Sequence, residues 1–299
     1  MSIDITVIGS TNLDITATVP RLPGPGETLL GTSLTHAQGG KGANQALAAS
    51  RAGAAVRFIG AVGDDSASDT ALSLLVADGV DLSQLVRVPG TPTGTALIAV
   101  DDAGENNIIV IAGANAALDG ELVADRREQI EGLVVLQGEI PASGLAAAVQ
   151  AAPGRVLLNL APVIEVPREV LLAANPLVVN EHEGAMVLQQ LGANPSGLDD
   201  AAVVGALRAH GIASVVMTLG AQGALVSQEA TQVVVPSVQV SALDATGAGD
   251  AFVGALAARL AAGESLEVAA AFAARFAADS VTRAGAQSSY PAKGAISHG

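Results

Sequence analysis

Leu243-Asp244-Ala245-Thr246-Gly247-Ala248-Gly249-Asp250-Ala251-Phe252 joins a strand-like run, 231–240, to an Ala-rich helical run, 249–262. Small residues just before a helix leave backbone N–H groups that point outward, and such a junction can hold an anion. Asp250 lies in the first helical turn, beside that anion. The stretch therefore indicates either phosphoryl transfer to a hydroxyl with Asp250 as the base, or a glycine turn whose aspartate offsets the helix dipole.

The composition narrows the classes of protein. The chain has 299 residues, half of them apolar, which is enough to form one large α/β core. The formal net charge is −15, so no basic stripe is present and nucleic-acid binding is not expected. The chain contains no cysteine, which excludes disulfides, thiolate zinc sites and cysteine nucleophiles.

No membrane segment is expected. The apolar runs are interrupted by Gly, Pro or charged residues well before the ~20 residues that a transmembrane helix needs. The first residues have no basic segment of the kind that opens a signal peptide. These patterns favour a cytoplasmic protein.

Helical and strand-like runs alternate along most of the chain, which predicts a parallel sheet with helices on both faces, a three-layer α/β fold. The predicted strands are 3–9, 56–62, 132–137, 155–160, 176–179 and 213–218. The predicted helices are 42–52, 66–78, 119–131, 142–151, 168–174, 181–191, 199–209, 249–262 and 264–278. Several strands end on a polar residue, namely Gln137, Asn159, Asn180 and Thr218. Open α/β sheets bind ligands at that edge.

Four shorter strand-like runs lie outside this alternation, at 16–19, 27–36, 96–100 and 107–111. Pro and Gly separate the first two, and a hairpin signal, 101–104, separates the last two. They predict a four-stranded lid over the ligand edge of the main sheet. We therefore expect one domain over residues 1–299, with lid strands from about 13–36 and 94–112 inserted in it.

A second motif, Gly39-Gly40-Lys41-Gly42-Ala43-Asn44-Gln45-Ala46, runs into a helix. Its glycines would allow the backbone to approach a small polar ligand closely, and its spacing differs from that of a Walker A motif. Asn12 and Asp14 follow the first strand, and their side chains suit the vicinal hydroxyls of a sugar. The alternatives are Asx-turn chemistry for this pair and a solvated lysine rather than a phosphate ligand at Lys41.

The two glycine motifs together resemble the paired signature of the ribokinase-like (PfkB) sugar kinases, and the resemblance extends from residue 9 to 291. Segments 39–46, 113–116 and 281–287 are similar to the ribokinase branch of that family. The resemblance implies ATP-dependent phosphorylation of D-ribose at its 5-hydroxyl, with Mg²⁺, K⁺ activation and a homodimer formed through the lids. Asp250 would accept the hydroxyl proton while amides of the Gly247–Gly249 turn stabilise the transferring phosphoryl group.

The resemblance also implies the residues of each subsite. The catalytic group comprises Asp250 with the anion hole Gly247, Ala248 and Gly249. The sugar site would be formed by Asn12, Asp14, Gly40, Lys41, Gly42, Asn44, Glu139 and Asp250. The nucleotide site would be lined by Asn180, Thr218, Gly220, Gly223, Gly249 and Ala274, the last of which replaces a polar residue common in the family. K⁺ would be bound by Asp244, Thr246, Ser280, Arg283, Gly285 and Ser289, and Mg²⁺ through water by Glu183.

Other functions remain open on these residues. The hydroxyl-binding side chains do not identify the sugar, so 2-deoxyribose, fructose or a nucleoside is an alternative substrate, although aromatic residues for stacking on a base are scarce. A catalytically silent sugar-binding protein should have lost the base or the anion hole, and both are present here. A dinucleotide-dependent dehydrogenase would need G-x-G-x-x-G after the first strand, which residues 9–12 do not provide.

Overall fold

The computed structural model describes residues 2–296, so residue 1 and residues 297–299, at the ends of the predicted domain, lie outside the described residues. The strands are β1 Ile5–Ile8, β2 Asn12–Val19, β3 Ser33–Gly39, β4 Val56–Ile59, β5 Ala61–Gly63, β6 Val86–Val88, β7 Gly94–Asp101, β8 Asn106–Ile111, β9 Leu133–Gln137, β10 Val156–Asn159, β11 Ala174–Asn180, β12 Ser214–Thr218, β13 Ala224–Gln228 and β14 Thr231–Val235. The α-helices are α1 Lys41–Arg51, α2 Ser66–Ala77, α3 Gly120–Ala124, α4 Ala142–Ala151, α5 Arg168–Leu172, α6 Glu181–Gln190, α7 Asp200–Ala209, α8 Ala248–Ala261 and α9 Leu266–Ser280.

The main sheet has eight strands in the order β14-β13-β12-β11-β10-β9-β1-β4. Six neighbouring strands of this sheet are parallel, namely β4, β1, β9, β10, β11 and β12. β13 and β14 extend the sheet in antiparallel fashion. Both faces are covered, as the alternation in β9 illustrates: Leu133 and Val135 belong to one apolar cluster, and Val134 and Leu136 to the other. The predicted three-layer α/β architecture is confirmed.

A separate sheet of four strands has the order β3-β2-β7-β8. Its strands are the ones that the sequence predicts for a lid, and β8 is exposed along its whole length. This sheet meets the main body where β2 begins at Asn12 and β3 ends at Gly39, a pair of neighbours in the register. It therefore extends directly from the region of the glycine motif Gly39–Ala46.

Some element boundaries differ from the prediction. The run 231–240 is strand only to Val235, so an irregular segment, rather than a strand, leads into the Asp250 motif. The predicted helix 119–131 is helical only over Gly120–Ala124, followed by a 3₁₀ turn at Arg127–Gln129. The run 56–62 is divided at Gly60, and β5 leaves the main sheet to pair with β6.

Two further differences concern the outer sheet and the end of the main sheet. The predicted strand 27–36 is displaced to Ser33–Gly39 because the preceding Pro- and Gly-rich segment has no strand partner over most of its length. β13 is an edge-region strand that the sequence analysis missed. Within residues 2–296, no helix is both long and apolar enough to cross a membrane.

Candidate active site

Asp250 is the third residue of α8, whose N-cap is Gly247 in a left-handed conformation with φ 73°. Its side chain is buried, with 6% of its surface exposed. A buried carboxylate is stable only where hydrogen-bond donors surround it, and here α1 supplies them. The amide Nδ2 of Asn44 donates to Oδ2 of Asp250 at 2.9 Å, and the amide Nε2 of Gln45 donates to Oδ1 at 2.9 Å.

The close packing of α1 on α8 makes these bonds possible. A Cβ atom added to Gly254 would lie 2.4 Å from the carbonyl oxygen of Gln45 and 2.5 Å from Cβ of Ala48. Gly254 lies one turn after Asp250, so the helices touch at the level where the amides must reach the carboxylate. A larger side chain there would overpack the contact at ~1–3 kcal/mol and draw the donors away from Asp250.

The predicted sugar residues lie around the same carboxylate. Glu139 Oε2 accepts hydrogen bonds from the Ser10 hydroxyl at 2.6 Å and from the backbone N–H of Lys41 at 2.9 Å. Asn12 Oδ1 accepts a bond from the amide of Asn115 at 2.8 Å. We call Asn12, Asp14, Asn44, Glu139 and Asp250 the polar cluster.

Asp14 is the member of the polar cluster with the most altered acidity. Burial raises the pKa of its carboxyl to about 7, with further contributions from the negative charges of Glu139 and Asp250. Three carboxylates therefore face one region. Hydroxyl groups of a sugar would relieve the repulsion by donating hydrogen bonds to them.

The glycine motif has a structural reason in this packing. Gly40 has φ 87°, and an added Cβ would lie 2.6 Å from Cα of Thr11 and 2.8 Å from the backbone nitrogen of Asn12. The close approach predicted from the sequence is thus made to the protein's own segment after β1. It brings three of the predicted sugar-site residues close to their partners: Gly40 lies against Asn12, Lys41 against Glu139 and Gly42 against Ser10.

Two cavities meet at the N-terminus of α8. The larger, the apolar cavity, has a volume of about 360 Å³ and is lined by Thr218, Gly220, Ala221, Gly223, Ser237, Val238, Gln239, Val240, Ala242, Ala245, Ala248, Gly249, Phe252, Ala274, Ala277, Ala278 and Val281. The smaller, the polar cavity, has about 180 Å³ and is lined by Lys41, Asn159, Ala161, Val178, Val179, Asn180, Glu183, Thr218, Ala245, Gly247, Ala248, Gly249, Asp250 and Val253. Thr218, Ala245, Ala248 and Gly249 line both, so the two cavities adjoin each other at these residues.

Every residue predicted for the nucleotide site lines one of these cavities. Ala274 is buried in the wall of the apolar cavity, which is wide and apolar enough for a purine ring. The polar strand ends lie at the polar cavity or next to it, and the register pairs Asn159 with Gln137 and Asn180 with Thr218. Their predicted convergence on one edge of the sheet is confirmed.

The predicted anion hole needs one correction. The backbone N–H of Ala248 donates to the carbonyl of Ala245 at 3.1 Å, because a turn closes just before α8. The N–H groups of Gly249 and Asp250 belong to the first helical turn and have no acceptor within the helix. Of the three predicted residues, Ala248 therefore has its N–H engaged in the turn, whereas Gly247 and Gly249 both line the polar cavity.

Lys41 lies in the polar cavity opposite this helix end. Asp250 raises the pKa of the Lys41 ammonium, burial lowers it, and Glu139 and Glu183 raise it further, with a net increase. Lys41 is therefore a cation held between carboxylates. It can neutralise a phosphoryl group that enters the cavity.

Asn180 and Glu183 form a capping box at the start of α6. Asn180 Oδ1 accepts from the N–H of Glu183 at 2.8 Å, and Glu183 Oε2 accepts from the N–H of Asn180 at 2.9 Å. Burial raises the pKa of Glu183 above its usual value despite this bond. Mg²⁺ typically binds one or two carboxylates together with phosphates and waters, so the Glu183 carboxylate in the polar cavity fits a water-mediated ion. No group of three His, Asp or Glu side chains suited to a protein-only metal site occurs within residues 2–296.

The residues predicted for K⁺ lie in the loop before α8, at the last residue of α9 and in the loop after it, and the two loops hydrogen-bond to each other. Asp244 Oδ1 accepts from the backbone N–H of Thr246, and Oδ2 accepts from that of Gly285 at 2.8 Å. Burial alone would raise the pKa of Asp244, but bonds from Thr246 and Gly285 outweigh it and lower the pKa. The donor set consists of oxygens, which fits a hard cation. One predicted ligand, the carbonyl of Ser289, already accepts a bond from Arg283 Nε at 3.0 Å.

Sequence reasoning did not assign several polar residues that the structure brings to the site. Gln45 contacts Asp250 directly, and Gln137, Asn115 and Gln287 contact residues of that shell. Gln45 follows Asn44 in the glycine motif, and Gln137 ends a buried strand, so the sequence pattern indicated that both could lie at the site. Gln287 lies 37 residues after Asp250, in a loop whose fold cannot be read from local pattern.

Comparisons with known proteins show the family to which the chain belongs. The sequence model described as pfkB family carbohydrate kinase matches residues 2–293. A ribokinase of Haemophilus influenzae is 37% identical, covering 97% of this chain and 95% of the relative, and a deoxyribokinase of Salmonella typhi is 35% identical over 96% and 95%. The crystal structure of a Thermotoga maritima ribokinase superposes with a TM-score of 0.91, 33% identity and 98% coverage of both chains. An Arabidopsis thaliana ribokinase complexed with ribose and ATP has a TM-score of 0.86 and 28% identity, covering 99% of this chain and 98% of that one.

Proposed function

The chain belongs to the pfkB family of carbohydrate kinases, and from that premise we propose that it phosphorylates the 5-hydroxyl of D-ribose with ATP as the donor. The observation that carries this proposal is the placement of Asp250. Its carboxylate is fixed by two amides at 2.9 Å where the polar cluster, the polar cavity and the helix N-terminus meet. A hydroxyl bound by the polar cluster would lie between that carboxylate and a phosphoryl group in the polar cavity.

In the proposed reaction, Asp250 accepts the proton of the attacking hydroxyl, a role that contributes ~10²–10⁴-fold to the rate. The N–H groups at the start of α8 and the Lys41 ammonium stabilise charge on the phosphoryl oxygens. The adenine of ATP occupies the apolar cavity beside Ala274. Asn12, Asp14 and Glu139 orient the sugar.

Glu183, with Asn180, is the residue that we propose for holding Mg²⁺ through water. When bound, the ion neutralises phosphate charge and orients the triphosphate. Asp244, Thr246, Ser280, Arg283, Gly285 and Ser289 are proposed to bind K⁺ and to order the loop that precedes α8. The loop is already bridged by the bond from Gly285 to Asp244, which a cation would reinforce.

The test is a coupled ADP-release assay with D-ribose, 2-deoxyribose, fructose and adenosine, each with and without K⁺. We expect D-ribose to give the highest kcat/KM, and K⁺ to increase kcat. Absence of phosphorylation of any pentose would overturn the proposal, whereas ribose turnover without a response to K⁺ would overturn only the cation site.

2-Deoxyribose is the second candidate substrate, because a deoxyribokinase is among the relatives that cover nearly the whole chain. A nucleoside is disfavoured by the aromatic residues. Phe58, Phe252, Phe272, Phe276 and Tyr290 are all buried in the core, so none projects from the outer sheet to stack on a base at the sugar site.

We propose that two copies of the chain associate through the outer sheet. Its strands expose Leu34, Leu97, Ile108, Ile109, Val110 and Ile111, each with 40–63% of its surface accessible. By the register of the sheet, Leu34, Leu97, Ile109 and Ile111 lie on one face, and Ile108 and Val110 lie on the other. Exposed apolar residues grouped in this way on an open sheet typically mark an interface. Light scattering on the native chain and on Ile109→Lys tests this association. We expect the native chain to be a dimer and the variant to be a monomer. A monomeric native chain would contradict the proposal.

A further inference from the structure

The amides around Asp250 form two chains whose donors all point towards the carboxylate. In the first, Gln287 Nε2 donates to Asn44 Oδ1 at 2.9 Å, and Asn44 Nδ2 donates to Asp250 Oδ2. In the second, Gln137 Nε2 donates to Gln45 Oε1 at 2.8 Å, and Gln45 Nε2 donates to Asp250 Oδ1. Gln137 of β9 and Gln287 of the loop after α9 are thus each connected to Asp250 through an amide side chain of α1.

The direction of each chain follows from the chemistry of its last member. An ionised carboxylate only accepts hydrogen bonds, so Asn44 must present its NH₂ group to Asp250. Its oxygen then faces Gln287, which must present an NH₂ group in turn. The same argument applies to Gln45 and Gln137, and the bond of Gln45 to the oxygen of Asn159 is compatible with it.

This alignment is energetically unfavourable for the outermost amide of each hydrogen-bond chain. Gln137 Oε1 and Gln287 Oε1 are buried and have no hydrogen-bond partner among residues 2–296. The two glutamines are 0% and 1% exposed. A buried, unpaired carbonyl is unfavourable by ~1–3 kcal/mol, so these glutamines are poorly explained as stabilising core residues.

We propose that Gln287 and Gln137 are positioning residues for the phosphoryl transfer: each forces its partner amide to present a donor to Asp250, so that the carboxylate keeps the orientation needed to accept the hydroxyl proton. The proposal rests on the proposed function of Asp250 as the base. An amide turned the other way would place an oxygen against the carboxylate and rotate or displace it. Displacement of a base by ~1 Å is enough to lower kcat by ~10²-fold.

Gln287→Glu tests the direction of the hydrogen bonds that run from Gln287 through Asn44 to Asp250. An ionised glutamate cannot donate to Asn44, whereas a protonated glutamate can, so the variant regains the native direction as the pH is lowered. Because position 287 is buried, the pKa of a carboxyl there is expected to be higher than its ordinary value. Tyr290 lies three residues after Gln287, and the charged groups that affect its pKa are Asp250, Arg51 and Asp14. The Arg51 guanidinium is paired with Asp78 and donates to the backbone carbonyls of Gln287 and Tyr290.

The measurement is kcat with saturating ribose and MgATP, expressed as the ratio of variant to native enzyme between about pH 5.5 and 9, a range that brackets a raised glutamate pKa. We expect this ratio for Gln287→Glu to fall ~10-fold or more as the pH rises, with KM for MgATP unchanged. Gln287→Met, which can neither donate nor titrate, should lower kcat by a ratio that does not change with pH. Ser288→Ala is the matched control, since its exposed side chain is next in sequence and does not contact Asn44.

Folding is checked by the emission of Tyr290, the only tyrosine in a chain without tryptophan. Gln137→Glu provides an independent test through Gln45 and should show the same pH-dependent ratio. A ratio that is flat with pH in folded Gln287→Glu or Gln137→Glu would overturn the inference. Near-native kcat in Asp250→Asn would instead overturn the proposed function, so the two failures are distinguishable.

Discussion

The polar cluster and the apolar cavity meet at α8 but are built in opposite ways. The polar cluster consists of side chains whose directions are fixed by hydrogen bonds to other buried groups, such as the two amides on Asp250. The apolar cavity is shaped by small residues of α9 and by glycines after β12, with few side-chain hydrogen bonds. The first region can therefore be damaged by changing one atom's charge or polarity, whereas the second is sensitive to volume.

The largest effect is expected for Asp250→Asn, which keeps the volume of the side chain and removes the base. We expect kcat to fall by ~10²–10⁴-fold while ribose still binds, because the hydroxyl-binding residues around it are unchanged. Steady-state kinetics and calorimetric titration with ribose measure the two quantities. A variant that kept kcat within a few-fold of the native value would remove Asp250 from the mechanism.

Asp14→Ala tests whether the polar cluster serves the sugar alone. Loss of a charged hydrogen-bond acceptor typically weakens binding by ~1.5–3 kcal/mol, so KM for ribose should rise by ~10–100-fold. KM for ATP should stay near the native value because Asp14 lines neither cavity. Equal increases in both constants would contradict the separation between the two regions.

Ala274→Leu is the reciprocal change in the apolar cavity. Overpacking by ~1–3 kcal/mol should raise KM for ATP by ~10-fold and leave KM for ribose unchanged. Ala262→Leu, at the exposed C-cap of α8 and outside the apolar cavity, is the control because it makes the same change of side chain. An unaltered KM for ATP in Ala274→Leu would mean that the nucleotide does not occupy this cavity.

The smallest effect is a pH dependence confined to the polar cluster. Because the pKa of Asp14 is raised to about 7, its carboxyl becomes a full acceptor only as the pH rises through 7, and KM for ribose should fall over that interval. KM for ATP should not follow it, and Asp14→Asn should abolish the trend.

The same group has an opposite effect on stability. A carboxyl whose pKa is higher in the folded than in the unfolded chain binds its proton more tightly when folded, so its contribution is most favourable at low pH. It is lost as the pH rises from the ordinary value of 3.8 to about 7. The melting temperature of Asp14→Asn, relative to the native chain, should therefore increase across this interval. A constant difference would indicate that Asp14 titrates normally.

Most of the architecture could be predicted because it depends on local pattern. The alternation of apolar runs identified the six parallel strands of the main sheet, and polar residues at their ends marked the ligand edge. The prediction failed where a partner decides the structure. Residues 236–240 have strand-like composition but no strand beside them, and 125–131 have helical composition but form only one 3₁₀ turn.

The candidate site was predictable to the extent that its residues lie in the two glycine motifs. Asn44 and Asp250 were identified in this way, 206 residues apart. The use of the Ala248 N–H by Ala245 was not, because it depends on how the preceding turn closes. Gln287 was missed for a similar reason, since nothing in its neighbours indicates that it reaches α1.

By itself, the sequence determined which residue types were available: a carboxylate at a helix start, glycines where the chain must pass close to itself, and alternating apolar residues for a sheet buried on both faces. Only the tertiary structure decided the directions of the polar groups. The packing of α1 on α8 at Gly254 places two amides on Asp250, and the carboxylate's inability to donate then sets the orientation of Asn44, Gln45, Gln137 and Gln287. Composition is local to the chain, whereas a hydrogen bond's direction depends on a partner that only folding supplies.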